Sequence, residues 1–295
     1  SIRYGSLIDT TQTETENLKS KFEIDNYNMP SDDIIKILNE IMRETNYQYN
    51  DLNQIKSLIL LECIDRIGYG AANWKAETKI NKIIEAGNNH FKLSKENKKK
   101  IIVADTDVKF AKTSVEVMKS HKFTQYLFEN NPLKKTYFQL KFQLNFNGIP
   151  LKCMFDMIYV DYENKIIYPI DFKTTSKDES EFQNSFLQWR YDIQATMYSF
   201  ILREICKQDE FFKDFKIEPF KFLVINKYNN LPLFWQYDES VEFKQSYIAF
   251  NDKLLLPWYE MIDNIYKHLN EDQYSYPYEA LNNEGVIKLK KNIYY

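Results

Sequence analysis

Phe155-Asp156-Met157, followed by Pro169-Ile170-Asp171-Phe172-Lys173-Thr174-Thr175, is the stretch on which the reading of this chain turns. Leu151 to Val160 and Ile166 to Lys173 are rich in Ile, Val, Tyr and Phe, and the polar run Asp161 to Lys165 between them predicts a hairpin. Side chains alternate across a strand, so Asp171 and Lys173 share one face while Ile170 and Phe172 take the other. On the preceding strand Asp156 falls on the face of Lys152, Met154 and Ile158. If Asp161 and Ile166 close a four-residue turn, Asp156 stands opposite Asp171, with Cβ atoms roughly 4.5–5.5 Å apart. Two facing carboxylates need a cation or a shared proton. Hard oxygen donors with open positions suit Mg²⁺ or Mn²⁺. A solvated hairpin face with a simple ion pair is the competing reading. The position of the acid-x-lysine inside an apolar strand counts against it.

The next segment adds to this spot. Glu181 to Ile205 is predicted to be one helix, with Phe186, Trp189, Ile193, Met197, Phe200 and Ile201 on its core face. Tyr191, Gln194 and Tyr198 recur at i, i+3 and i+7 on a neighbouring face. On that face they are expected to meet a water or a phosphate.

Taken together, Gly148-x7-Asp156, Asp171-Phe172-Lys173-Thr174-Thr175 and Gln194-x3-Tyr198 resemble the RecB-type branch of the PD-(D/E)XK nuclease superfamily. Among its members they are most like the phage and prophage exonucleases of the exonuclease VIII kind. The specific likeness covers roughly residues 135–205 and a short N-terminal segment, Tyr4-Gly5-Ser6-Leu7-Ile8-Asp9, where Asp9 stands in place of the family's histidine. The resemblance implies an α/β (α+β) fold with a restriction-endonuclease-like core, a mixed sheet flanked by helices. It implies Asp156, Asp171, Lys173, Gln194 and Tyr198 as catalytic residues. Mg²⁺ (or Mn²⁺) would be held by Asp156, Asp171, the backbone carbonyl of Phe172 and Asp9. It further implies DNA as substrate, a single-strand annealing recombination protein as partner, a homo-oligomer, and an intracellular, phage-encoded origin in a bacterial host. Lys177 and Arg190 flank the site and are expected at DNA phosphates. The alternatives are a structure-specific endonuclease and a catalytically degenerate DNA-binding module. A glycoside hydrolase with paired carboxylates would leave Lys173 and the Gln194–Tyr198 helix without a role.

Composition sets bounds. With 44% hydrophobic and 16% aromatic residues over 295 positions, the chain can bury a large core. No apolar run is long enough to cross a membrane and no leader pattern is present. Cys63, Cys153 and Cys206 lack C-x-x-C spacing, so neither a disulfide framework, a zinc site nor an iron–sulfur cluster is expected. His90, His121 and His268 lie apart from one another. A net charge of −3 is unlike a general nucleic-acid binder, so phosphate contact would rest on local patches. Lys95 with Lys98-Lys99-Lys100, Lys134-Lys135, and Lys288 with Lys290-Lys291 read as solvated faces. No Gly-rich phosphate loop or G-x-S-x-G is present, which removes ATPase, dinucleotide and serine-hydrolase readings.

The expected organisation is a mainly helical region over residues 1–130, a nuclease core over 131–270 and a tail over 271–295. Helices are predicted from Ile34 to Met42 behind a Ser31-Asp32 cap, from Leu52 to Ile67, from Ser94 through Ala104, and from Lys112 to Phe128. Tyr137 to Phe146 is the first of three antiparallel strands, turning at Asn147-Gly148. Phe220 to Tyr228 and Leu231 to Tyr237 are two more, and Phe243 to Leu269 is a closing helix.

Overall fold

In the computed structural model of the protein, residues 7–8, 10–11, 18–25, 29–97, 99–237, 248–250, 253–271 and 284–286 are described. The chain divides into two compact units, residues 1–116 and 117–295, each with a core of its own.

The first unit is mainly helical. Helix α1 (Asp32–Glu44) starts where Ser31 Oγ accepts from the Ile34 amide, with Asp32 and Asp33 in the first turn. Its stripe Ile34, Ile37, Leu38 and Ile41 is buried against α2 (Ser57–Ile67) and α3 (Ala76–Glu96). The expected Leu52 start is corrected: Leu52–Gln54 is a short 3₁₀ turn under an Asp51 cap, and α2 begins at Ser57. Gly87 lets α3 approach α1 closely, since a Cβ there would lie 3.0 Å from a Leu38 methyl. Ser94 caps nothing; it lies within α3. Strand β2 (Ile101–Ala104) follows instead, pairing in parallel with β1 (Phe22–Asp25), as its β-branched run favours. Buried His90 and Asp25 meet across these elements at 3.4 Å. Helix α4 (Asp105–Ser120) begins earlier than expected and carries the chain into the second unit.

The second unit is built on a mixed sheet. Its path is β3 (Lys134–Phe146), β4 (Ile149–Asp161), β5 (Ile166–Thr175), β7 (Lys221–Asn226) and β8 (Pro232–Gln236), with the short β6 (Lys216–Ile217) beside β5. The β3–β4 hairpin turns through Asn147 and Gly148, at φ 50° and 84°, the two left-handed residues that a two-residue turn matching strand twist requires. β4 and β5 are antiparallel from Asp161↔Ile166 to Met157↔Ile170, the predicted register. β5 and β7 run parallel, which demands a crossover. Helices α5 (Phe182–Gln188) and α6 (Tyr191–Gln208) supply it. Ala195, Ile201 and Leu202 of α6 meet Phe155 and Phe222 of the sheet, and Phe220 just ahead of β7, in one buried cluster.

Two expectations fail here. The predicted single helix from Glu181 breaks at Arg190, which sits at φ 54°, and Trp189 is 64% exposed instead of facing the core. The predicted helix from Phe243 begins only at Trp258: β9 (Ile248–Phe250) and β10 (Lys253–Leu255) form an antiparallel pair ahead of α7 (Trp258–Glu271). Residues 243–247 and most of the 271–295 tail lie outside the described residues.

Strict alternation also fails, in a matched way. Phe155 shares its cluster with Ile158 and Val160, and Tyr137 shares it with Leu140, Phe142 and Leu144. Each strand therefore shifts its facing by one residue, at Asp156 in β4 and at Gln139 in β3.

Candidate active site

The candidate site lies where β4 and β5 part company. Met157↔Ile170 is the last rung of their ladder, so the Asp156 carboxylate is free to turn across the gap. Its Oδ2 accepts the Phe172 amide at 2.9 Å and its Oδ1 the Gln139 amide at 3.3 Å. Asp171, on the next strand, is 2% exposed and close enough to Asp156 to feel its charge. Asp171 and Lys173 share a strand face, as period two requires, and the Lys173 ammonium donates to Asp171 Oδ2. From α6, Gln194 bridges the pair: its amide nitrogen donates to Asp171 Oδ1, and its oxygen accepts from Lys173 at 3.1 Å. Lys173 also lies 4.6 Å from the Tyr191 ring centroid and 5.7 Å from that of Phe222, so two aromatic faces help hold its charge.

The electrostatics are unbalanced. Burial first, then the Asp156 carboxylate, push Asp171 up to about 8, although Lys173 pulls the other way. One ammonium does not offset two neighbouring carboxyl groups, one of them buried. A divalent cation would, and the two aspartates are hard oxygen donors of the kind Mg²⁺ or Mn²⁺ takes. The donor set therefore fits such an ion, though it is incomplete: among the described residues, no group of three or more His, Cys, Asp or Glu side chains is placed to hold a metal. Asp9, the expected further ligand, lies outside the described residues. It is the Phe172 amide that meets Asp156; the Phe172 carbonyl remains a proposed ligand.

The other expected site residues are placed as follows. Tyr198 packs on Phe155 and Phe220, at ring separations of 5.2 and 6.3 Å. Its phenol is raised by burial, and its ring braces the strand just ahead of Asp156 through Phe155. Arg190 grips Asp192 through two hydrogen bonds of 3.0 and 3.1 Å and donates to the Leu256 carbonyl. Those bonds engage three of the five N–H groups of its guanidinium. Lys177 is half-exposed, with Glu181 3.9 Å away. Away from the site, Lys100 pairs with Glu23 and Lys134 with Asp161, while Lys98, Lys288, Lys290 and Lys291 lie outside the described residues. Cys63, Cys153 and Cys206 are buried free thiols. Gln139 was not singled out from sequence. Its signal was the break in period two between Tyr137 and Leu140.

No family model matches the chain, and no curated protein matches it. A solved structure from Eubacterium rectale, described as "Putative exonuclease", matches at 13% identity over 69% of this chain and 72% of that chain, with a TM-score of 0.32. A likeness that distant carries no argument, so the functional reading rests on the residues themselves. Among the described residues no helix is long and apolar enough to cross a membrane.

Proposed function

We propose that this protein is a metal-dependent nuclease of the RecB-type PD-(D/E)XK kind that hydrolyses DNA phosphodiester bonds from an end. The observation that carries the reading is the convergence of Asp156, Asp171, Lys173 and Gln194 from two strands and a helix. Mg²⁺ or Mn²⁺ would supply Lewis acidity to an attacking water and offset the charge gathering on the phosphate. Asp156 and Asp171 would hold the ion, with the Phe172 carbonyl and Asp9 as further ligands. Lys173 spends two of its three N–H groups on Asp171 and Gln194. The third is left to orient the water or meet a phosphate oxygen. Gln194 keeps the ammonium beside the carboxylate, and the flanking rings of Tyr191 and Phe222 lower the local dielectric, which strengthens each of these interactions. A single-strand annealing partner and a homo-oligomer accompany the reading through the resemblance alone.

The test uses end-labelled linear DNA and closed circular DNA with Mg²⁺. Linear DNA is expected to disappear while circles persist, and Asp171→Ala or Lys173→Ala should lower the rate at least about a hundredfold. Undiminished cleavage by either folded variant would sink the assignment. Nicked circles would point instead to a structure-specific endonuclease.

A further inference from the structure

We propose that Gln139 is a positioning residue for Asp156, the counterpart on β3 of what Gln194 does for Asp171 from α6. The inference rests on the reading of Asp156 and Asp171 as a cation site.

The backbone is the first argument. From Lys134↔Asp161 to Phe146↔Ile149 the β3–β4 ladder keeps one register, yet the rung Gln139↔Asp156 is missing from it. Gln139 stands at φ +54°, a left-handed conformation that a residue with a Cβ resists and that regular strand does not use. Both strands change facing at this level, so the interruption is a matched feature of the pair. Such local departures gather at functional sites, where the surroundings hold them in place.

The side chain is the second. Asp156 Oδ1 accepts from Gln139 Nε2, and Asp156 Oδ2 accepts from the Phe172 amide. The NH₂ group is the donor end of the amide, and it is the end that faces Asp156. Two donors, one on each oxygen, fix the rotation of the carboxylate while leaving lone pairs for a cation. A neutral amide does this without adding a positive charge that would compete with the ion. Each aspartate thus has one glutamine amide on it, Gln139 on Asp156 and Gln194 on Asp171. Groups that orient a metal's ligands in this way typically account for about tenfold or more in metal affinity.

Two variants separate the side chain from the backbone. Gln139→Gly removes the donor and accepts the left-handed backbone at no steric cost. Gln139→Met removes the donor and keeps the length. Each is compared with the wild type by calorimetric titration with Mn²⁺, by apo thermal unfolding, and by cleavage at increasing Mg²⁺. Gln139→Gly is expected to unfold at or above the wild-type temperature while its Mn²⁺ dissociation constant rises about tenfold. The Mg²⁺ concentration for half-maximal cleavage should rise in step, and saturating Mg²⁺ should restore most of the rate. Gln139→Met should show the same loss of affinity, and it decides the matter should the glycine variant not fold. Wild-type Mn²⁺ affinity in a folded variant overturns the inference alone. A wild-type protein that binds no Mn²⁺ overturns the cation-site reading and the inference with it.

Discussion

Asp171 is a carboxyl group that the fold keeps at a cost. Its folded value of about 8 lies well above the 3.8 of an ordinary aspartate, because it is buried beside a second carboxyl group. The folded state therefore binds this proton more tightly than the unfolded state does. Below about pH 4 both states hold the proton and the group is neutral in the balance. As pH rises towards 8 the unfolded chain ionises first, and apo stability falls. Asp171→Asn should remove that slope. Thermal melts of the apo protein should show the variant level with wild type near pH 4 and several degrees above it at pH 8.5. A wild type as stable at pH 8.5 as at pH 4 would contradict this account. Most of the site was legible at this scale. Period two placed Asp171 and Lys173 together, and helical spacing placed Gln194 beside them. Gln139 was hidden because its role depends on a phase shift, which a reading based on strict alternation removes.

At the scale of elements, local chemistry decided what could be read. The Asn147-Gly148 turn and the Tyr162–Lys165 turn fixed both hairpins and hence the register around Asp156. The helix break was invisible because neither glycine nor proline marks it. Arg190 takes the left-handed conformation that begins α6, and its forked grip on Asp192 together with the Leu256 carbonyl holds it there. The next residue, Tyr191, presents its ring to Lys173, so the junction aims a wall of the site. Asp192 is 5% exposed, and neutralising it leaves a half-buried guanidinium without its counter-charge. Asp192→Asn is expected to lose about 3 kcal/mol in urea unfolding, against little change for a substitution at the exposed Trp189. A loss under about 1 kcal/mol would mean that packing, not this ion pair, sets the junction. The missed α3 and β2 have a similar explanation: a helix of mixed polarity and a four-residue strand carry little pattern of their own.

At the scale of the molecule, the described part of the candidate site belongs entirely to the unit of residues 117–295. A cation bound there should stabilise the wild type by mass action, by about 2.7 kcal/mol at a hundred times its dissociation constant. Mn²⁺ is thus expected to raise the wild-type melting temperature, chelation to reverse the rise, and Asp171→Asn to show almost none. The order of stabilities seen in the apo proteins would then invert, and no inversion would count against a cation at this pair. The two hairpins also divide the tolerance of this unit to change in length. A residue inserted between Phe146 and Ile149 would slide β3 past β4, carrying Gln139 away from Asp156 while Asp156 and Asp171 stayed together. One inserted between Asp161 and Ile166 would part the two aspartates themselves. Length drift at the first turn would detune the site, whereas the same drift at the second would dismantle it.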